Sequence, residues 1–345
     1  MEIQAYINQK REIYEKLLIF IESDDEQDHF NQLIEKINTY NIQKDWEELE
    51  QFLQLIINIS NNHHRKPDFF SKIIRILQFL KTDIQLYYTN LEIFEMFKNN
   101  KILLLLLIEE KLITIDSKIK ISIESKGSFY YHYFLPELKK YKSELENYEE
   151  YEMKRKQGEN DSYISNLIRK DLVEEFISHV NRLNLPLSSE LKPSIFETNS
   201  FLIEKDPTLI EYATFHGSIQ IFQYLKYNNV EINSNLLFYA IHSNNPEMIY
   251  LIEENRIKPP NDDNYISCFE ESIKCHHNDI ANYIKDNLMN VSENVFNCSI
   301  RYSNFHFFPE KIDNNYTFFY LCQYNYNKIV NIYLNNKEEE IKLEI

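Results

Sequence analysis

The chain has 345 residues, of which 43% are hydrophobic and 14% aromatic, so it has enough apolar material for a folded core. This length suits two ordinary domains or one elongated array. The 54 acidic residues outnumber the 37 Lys and Arg, and the formal net charge is −17. Since nucleic-acid affinity comes mainly from basic side chains that neutralise phosphates, we expect no nucleic-acid partner. The acidity either attracts a basic protein surface or only keeps the chain soluble.

Glycine is scarce, and Gly127, Gly158 and Gly217 are the only three in the sequence. A P-loop, a Rossmann turn and a kinase phosphate loop each need glycines close together, which this chain does not offer. A G-x-S-x-G nucleophile elbow is excluded for the same reason. Nine prolines and so few glycines also argue against the many tight turns of a β-sandwich or barrel. Several common enzyme architectures are therefore excluded.

The sequence gives no sign of a membrane or secretory route. The N-terminus lacks a basic stretch followed by an apolar one, so we expect no secretory signal. The longest apolar run, residues 102–108, has seven positions and is too short to cross a bilayer. The four cysteines form no C-x-x-C pair. We expect a cytoplasmic protein, or a nuclear one, with free thiols and no membrane contact.

Helical periodicity dominates the N-terminal half of the chain. Three apolar stripes have the spacing of one helix face: Tyr14, Leu17, Leu18 and Ile21; Phe52, Leu53, Ile56 and Ile57; Ile73, Ile76, Leu77 and Leu80. Pro67 and Asp68 predict a helix start. The strongly charged residues 144–161 predict a helix end followed by a linker. We therefore expect a helical N-terminal domain over residues 1–160.

An internal comparison predicts a repeated unit made of a short helix, a polar turn and a second helix. Residues 92–113 and 236–257 align at a constant offset of 144 and share Phe94 with Phe238 and Asn100 with Asn244. The N-terminal domain thus contains a degenerate copy of the unit. The same unit recurs in residues 210–230, 269–287 and 318–334.

The register between these units assigns equivalent positions. One position inside the first helix is held by Ala213, Ala240, Ser272 and Leu321. The inter-helix turn is held by Gly217, Asn244, His276 and Asn325. Gly and Asn tolerate the left-handed conformation that ends a helix, whereas His276 fits that turn less well.

One helix pair cannot bury its apolar face alone, but stacked pairs bury a continuous core. We therefore predict an all-α helical solenoid. Its repeats occupy residues 161–289, an insert loop occupies 290–316, and a terminal repeat or cap occupies 317–345. The spacings of 27, 32 and 49 residues between successive units bracket the roughly 33 residues of an ankyrin repeat.

Long segments carry a family resemblance: NNHHRKPDFF (61–70), NKILLLLLIEEKLITID (100–116), residues 190–232, ESIKCHHNDIANYI (271–284) and FFYLCQYNYNKIVNIYL (318–334). With these segments, the chain resembles over nearly its whole length a set of protozoan-parasite ankyrin-repeat proteins that carry a helical domain of unknown function. The resemblance implies an ankyrin-like array used for protein–protein contact, without catalytic residues. The usual T-P-L-H start is absent, and the segment most similar to it is Pro207-Thr208-Leu209-Ile210. No standard ankyrin binding surface can therefore be transferred.

A cysteine–histidine cluster could suggest zinc, because Cys275, His276 and His277 are adjacent and Cys268 precedes them. Structural zinc sites usually need four ligands in two spaced pairs, which this cluster lacks. Cys322 could act as a nucleophile, but nothing places a base or an oxyanion hole beside it. We therefore predict no metal, no cofactor and no catalytic residue.

Two charged motifs also have a structural explanation beside a functional one. The run His63-His64-Arg65-Lys66 could be a basic contact patch, or its cations could favour the negative end of the preceding helix. The pairs Glu109-Glu110 and Glu253-Glu254 resemble paired catalytic carboxylates, but their recurrence at the end of a second helix favours a solvated feature of the repeat.

We predict a non-catalytic protein–protein interaction scaffold. In ankyrin repeats the positions just before the inter-helix turn face outward, and by register they are Phe215, His216, His242, Ser243, Lys274, Gln323 and Tyr324. Two alternatives stay open: an adaptor whose N-terminal half docks a second complex while the repeats hold a target, and an enzyme of unrecognised type. The expected partner is a protein, and the oligomeric state does not follow from the sequence.

Overall fold

The computed structural model describes residues 2–24, 26–138, 147–259, 264–289, 297–312 and 315–344. Within these ranges the regular structure is helical, with an isolated antiparallel bridge between Glu190 and Thr208 and no strand. The predicted all-α class is therefore confirmed. In the same part of the chain, every helix is too short or too polar to span a membrane.

The helices follow one another along the chain, and most of the described connections are short. In chain order they are α1 (Glu2–Glu22), α2 (Glu26–Thr39), a 3-10 turn (Ile42–Lys44), α3 (Trp46–Asn62), α4 (Phe69–Phe79), α5 (Lys81–Tyr87), α6 (Asn90–Phe97), α7 (Lys101–Glu109), α8 (Ser117–Ser125), α9 (Ser128–Tyr133), α10 (Leu135–Leu138), α11 (Tyr148–Gln157), α12 (Tyr163–Arg169), α13 (Val173–Leu183), α14 (Ser200–Lys205), α15 (Leu209–Phe215), α16 (Ile219–Tyr227), α17 (Leu236–Ser243), α18 (Pro246–Glu254), α19 (Ile266–Lys274), α20 (Asn278–Asn287), α21 (Asn297–Tyr302), α22 (Asn315–Gln323) and α23 (Asn327–Glu344).

The chain divides into two compact units. The first unit comprises Met1–Ile59, Arg65–Ile84 and Phe269–Ile345, and the second comprises Ser60–His64 and Gln85–Cys268. These bounds differ from the predicted domains, because the predicted boundary at residue 160 lies inside the second unit. Each unit is also assembled from segments that are far apart in sequence, which a division into consecutive domains does not anticipate.

The helix end predicted in residues 144–161 is present, since α11 ends at Gln157 with the left-handed Gly158 as its cap. This helix occupies most of the described part of the segment and leaves little of a linker. Its residue Arg155 is only 1% exposed. The guanidinium donates to both carboxylate oxygens of Glu137, at 2.6 and 2.8 Å, and to the carbonyl of Tyr133 at 3.1 Å. Part of this strongly charged segment is therefore anchored in the interior by a bidentate ion pair.

The predicted insert over residues 290–316 is only partly described, since 290–296 and 313–314 lie outside the described residues. Its described part holds α21 and three buried aromatic side chains, Phe305, Phe307 and Phe308. This part of the insert therefore contributes to the core of the first unit and is not a simple surface loop.

The core of the first unit follows the predicted stripes. All twelve residues of the three predicted apolar stripes are buried, and they lie on α1, α3 and the α4 segment that ends at Leu80. Helix α1 packs against α2, α4 and α23. The apolar period of 3.6 residues therefore identifies the buried helix faces correctly.

In the second unit, consecutive helix pairs lie side by side. The first helices pack in the order α12, α15, α17, and the second helix α13 packs against α16. The position predicted to lie inside the first helix is fully buried at Ala213 and Ala240. A small side chain at this place allows the neighbouring first helices to approach closely, and the arrangement is that of a helical repeat.

A recurring hydrogen bond joins one inter-helix turn to the next. In the second unit, Ser218 Oγ donates to the carbonyl of Ile168, at 2.6 Å. In the first unit, Asn304 Nδ2 donates to the carbonyl of Ile273, at 3.0 Å, and Tyr326 OH donates to that of Ile300, at 3.1 Å. Each donor directly follows the left-handed residue of its own turn, and each acceptor belongs to a helix that ends in another left-handed turn. We call this contact the turn link.

The two repeats that align in sequence at an offset of 144, residues 92–113 and 236–257, share a local shape but not that register. Both are helix–turn–helix segments, α6–α7 and α17–α18. However, Asn100 caps α7 in the way that Asn245, not Asn244, caps α18. The left-handed residues after the second helices, Lys111 and Arg256, are likewise 145 positions apart. The predicted equivalence of Phe94 and Phe238 is therefore shifted, and Phe94 is buried whereas Phe238 is partly exposed.

Candidate protein-interaction surfaces

The predicted inter-helix turns are confirmed in their backbone conformation. The four predicted turn residues all have left-handed φ angles: Gly217 (67°), Asn244 (49°), His276 (58°) and Asn325 (58°). A Cβ at Gly217 would lie 2.9 Å from Nδ2 of Asn245, so glycine also permits a close approach there. His276 is 1% exposed, and its Nδ1 lies 3.2 Å from the hydroxyl of Tyr14, which holds the ring in place.

Three of the seven predicted contact residues do not face outward. Phe215, His242 and Ser243 are 8%, 2% and 4% exposed, so the prediction that they form an accessible row is wrong. The cover comes from Phe201 of α14, whose ring centroid lies 4.0 Å from that of His242 and 6.1 Å from that of Phe215. Ser243 Oγ donates to the carbonyl of Ala240, at 2.7 Å.

The other four predicted residues are at least partly exposed. In the second unit, His216 packs its ring 4.4 Å from that of Tyr212. In the first unit, Lys274 lies 2.8 Å from the carboxylate of Glu271. Burial would lower the pKa of Lys274, but that carboxylate raises it above its ordinary value. Gln323 and Tyr324 lie at the C-terminal end of α22, which is the first helix of the pair α22–α23. The predicted row is therefore divided between the two units.

Helix α22 exposes an aromatic stripe. The α22 face, as we call it, comprises Tyr316, Phe319, Tyr320, Gln323 and Tyr324. Tyr316 is 73% exposed and Phe319 61% exposed, while Thr317 and Leu321 on the other side of the helix are buried. Exposed apolar surface that forms a continuous stripe is typical of an interaction site, whereas single exposed apolar residues are ordinary.

The α22 face is uncharged, and its rings are held against one another. The helix sequence NYTFFYLCQ contains no charged residue. The rings of Tyr320 and Tyr324 are stacked, with centroids 6.2 Å apart and planes 9° apart, and Phe319 meets Tyr320 edge-on at 6.0 Å. Rigid aromatic side chains lose little conformational entropy on binding, which is why Tyr and Phe are enriched at interfaces.

All four residues of the cysteine–histidine cluster, Cys268, Cys275, His276 and His277, are buried. Cys275 is fully buried, and burial raises the pKa of its thiol well above the ordinary value. Burial likewise raises the pKa of Cys298 to about 12. A thiol that stays protonated is a poor nucleophile. Cys322 is exposed on α22, and all four cysteines are free of disulfides.

The two charged motifs fit their structural explanations in part. Lys66 Nζ donates to the carbonyl of Glu22, the last residue of α1, at 2.6 Å. The cation therefore does bind the negative end of a helix, but this helix is α1 and not the preceding α3. Glu109 pairs with Lys156 at 2.9 Å on the surface of the second unit, as a solvated carboxylate does.

The second unit has a groove with a cavity of about 120 Å³. It is lined by Lys101, Phe129, Asn160, Leu191, Lys192, Pro193, Ser194, Glu197, Leu202, Ile203, Asp206, Pro207 and Tyr212. Phe129 is 51% exposed and Ile203 50% exposed, so apolar side chains also stand at its mouth. A concave, largely apolar site with a few polar groups is the usual form of a binding pocket.

A buried polar network fixes the wall of this groove. Glu197 accepts from the backbone N–H groups of Asn160, Thr198 and Asn199 at 2.8 to 3.1 Å. Arg169 donates to the carbonyl of Asn160 at 2.8 Å and to the hydroxyl of Tyr212 at 2.9 Å. These bonds hold the backbone of Asn160, Thr198 and Asn199 beside the groove.

Sequence reasoning found only part of the α22 face, because the predicted contact row includes Gln323 and Tyr324 but none of its other three members. It missed the groove altogether. The residues Tyr316, Phe319 and Tyr320 have the i, i+3, i+4 spacing of one helix face, and that pattern could have been noted. It could not have distinguished an exposed stripe from a buried one. The groove had no sequence signal, because its lining comes from segments up to about a hundred residues apart. Comparison of the chain with protein-family models, curated proteins and solved structures gives no match in any of the three.

Proposed function

We propose that this chain is a non-catalytic protein–protein interaction scaffold built from ankyrin-like helix pairs and located in the cytoplasm or nucleus. The observation that carries the proposal is the α22 face. Its most exposed members, Tyr316 and Phe319, are large aromatic side chains that a soluble protein normally buries. Aromatic residues at the centre of an interface supply a large share of binding free energy.

The ankyrin-like character is supported by the arrangement of the helix pairs. First helices pack on first helices, the predicted turns are left-handed, and the turn link recurs in both units. Thr208, in the segment that echoes the ankyrin start, caps α15 with a capping box to Glu211. The kinship with protozoan ankyrin-repeat proteins belongs to the same proposal, and it rests on the sequence segments that suggested it.

Affinity purification with surface variants tests the proposed function. The tagged full chain, the double variant Tyr316→Ser/Phe319→Ser and the control Tyr227→Ser would each be used with native cell extract at moderate salt. Tyr227 is 81% exposed on α16 and matches the changed residues in type and exposure. We expect at least one protein whose capture falls about tenfold or more in the double variant only. Equal capture of every protein by all three chains would overturn the proposal.

An adaptor is the second candidate, and the groove of the second unit favours it. If each unit holds a different partner, Phe129→Ser/Ile203→Ser and Tyr316→Ser/Phe319→Ser should each lose a different protein. Loss of the same protein in both variants would favour a single scaffold. Surface variants suit this test better than a cut at residue 160, because that cut would divide the second unit.

A further inference from the structure

The shape of the α22 face restricts what can cover it. Its five residues occupy positions i, i+3, i+4, i+7 and i+8, so they form a straight ridge about 12 Å long at 1.5 Å per residue. The backbone N–H and C=O groups of α22 are used within the helix, so a peptide strand could not add to it by backbone hydrogen bonds. A helix with an apolar stripe of its own is complementary, because side-chain ridges pack into the grooves between ridges.

The second unit contains an internal example of such cover. There α15 is packed by α12, α16 and α17, and all seven of its residues are buried. In the first unit, α22 is packed by α21 and α23, and among its described residues only Thr317 and Leu321 are buried. Helix α15 is therefore covered by one more apolar helix surface than α22 is.

The net charge of the protein indicates what kind of partner helix could bind the α22 face. The α22 face itself is uncharged, whereas the whole chain carries a formal net charge of −17. Such a charge repels a second copy of the same chain and attracts a cationic partner before contact. Lys328, which follows α22 by five residues, is paired with Asp45 at 2.6 Å and Glu48 at 2.8 Å. These ion pairs neutralise the cation that would otherwise oppose a basic partner.

We propose that the α22 face binds one amphipathic helix of a basic protein, with the apolar stripe of that helix on Tyr316, Phe319 and Tyr320. This assignment rests on the proposed function and names the class of partner. The stacked rings of Tyr320 and Tyr324 keep one edge of the face in place, so little ordering is needed on binding. The acidic field accelerates the encounter, and the aromatic ridge holds the bound helix.

Peptide binding to the full chain tests this inference directly. The probe is a fluorescent amphipathic Leu/Lys helix of about 18 residues. A scrambled peptide of the same composition and a Leu/Glu version of the same pattern are its controls. Fluorescence anisotropy near physiological salt would compare the native chain with Tyr316→Ser/Phe319→Ser and with Tyr227→Ser. None of these substitutions changes the charge of the chain, so a non-specific electrostatic contribution cancels in the comparison.

We expect the Leu/Lys helix to bind the native chain and the Tyr227→Ser variant equally. The double variant should bind it at least about tenfold more weakly, and both control peptides should bind weakly to all chains. Equal binding of the scrambled or Leu/Glu peptide, or equal binding to the double variant, would overturn the inference. So would a dimer in sedimentation velocity that the double variant abolishes, because the occupant would then be a second copy.

The outcomes of this test and of the affinity purification can be told apart. Loss of captured proteins in the double variant without any peptide binding would overturn the basic-helix assignment and leave the proposed function standing. Retention of every captured protein in the double variant would overturn the proposed function itself.

Discussion

Helices α15 and α22 are both first helices of a helix pair, yet their surroundings are opposite. Each is followed by a left-handed turn residue, Gly217 or Asn325, and each holds its equivalent inner residue, Ala213 or Leu321, in the core. All seven residues of α15 are buried, whereas α22 exposes most of one side. The same local motif therefore serves as a core element in one unit and as a surface element in the other.

The difference arises from neighbours that are distant in sequence. Phe201 of α14 covers the end of α15 and α17, where it meets Phe215 and His242. On α22 the corresponding end carries Gln323 and Tyr324, which stay at least partly exposed. A helix pair thus determines which residues can face outward, but the connecting segments determine which of them do.

The largest expected effect compares two phenylalanines on these first helices. Phe215→Ala should lower the free energy of unfolding by about 3 to 4 kcal/mol, because it leaves a cavity against Phe201 and His242. Phe319→Ala should change it by less than about 0.5 kcal/mol, since that ring is largely in solvent. Urea denaturation followed by circular dichroism measures both. Equal losses would show that the α22 face is buried in solution and would remove it as a binding surface.

The local part of the fold could be predicted from sequence because it depends on local chemistry. The stripe at Tyr14, Leu17, Leu18 and Ile21 identifies a buried helix face through its period alone. The turn at Asn325 follows from the tolerance of Asn for left-handed backbone. These features need no knowledge of what lies across the interface, and the structure confirms them.

The remaining parts depend on contacts that the sequence does not display. Arg155 lies in a strongly charged segment of the sequence, yet its bidentate ion pair with Glu137 holds it in the interior. Ser243 is 4% exposed, and its position just before a turn does not reveal that burial. Residue-by-residue register is equally insecure, as the shift from an offset of 144 to one of 145 between Lys111 and Arg256 shows.

A smaller effect tests whether the turn link stabilises the helix pairs of both units equally. Ser218→Ala removes the turn link to Ile168 in the second unit, and Tyr326→Phe removes the link to Ile300 in the first. Ser218→Ala deletes one buried hydrogen bond and should cost about 1 kcal/mol in unfolding free energy. Tyr326→Phe also deletes the bond between Tyr326 OH and Ser303 Oγ and should cost about 1 to 2 kcal/mol. Tyr227→Phe, which removes a hydroxyl from an exposed ring, is the control and should have no effect. A loss in one unit only would show that the turn link is structural there and incidental in the other.

The smallest effect concerns the second helices of the same two pairs. Helix α16 is capped by Asp171, which accepts from the N–H groups of Gln220 and Ile221, while α23 is fastened by Lys328 to Asp45 and Glu48. Burial by itself would raise the pKa of Glu48, but Lys10 and Lys328 hold it below its ordinary value, and Lys328 and backbone N–H groups do the same for Asp45. The anchor of α23 should therefore be sensitive to acid.

A carboxylate whose pKa is lower in the folded state stabilises the fold above its unfolded pKa and loses that contribution as the pH falls. Lys328→Met should thus cost about 0.5 kcal/mol near pH 7, a modest value because the ammonium is about one-third exposed. This cost should shrink as the pH falls below the ordinary carboxylate pKa of about 4, and it should vanish only below the lowered pKa values of Asp45 and Glu48 in the native chain. Lys226→Met on α16 is the matched control, and urea midpoints measured across this pH range give the comparison. A cost for Lys328→Met that stays constant with pH would mean that the side chain stabilises α23 by packing and not by its charge.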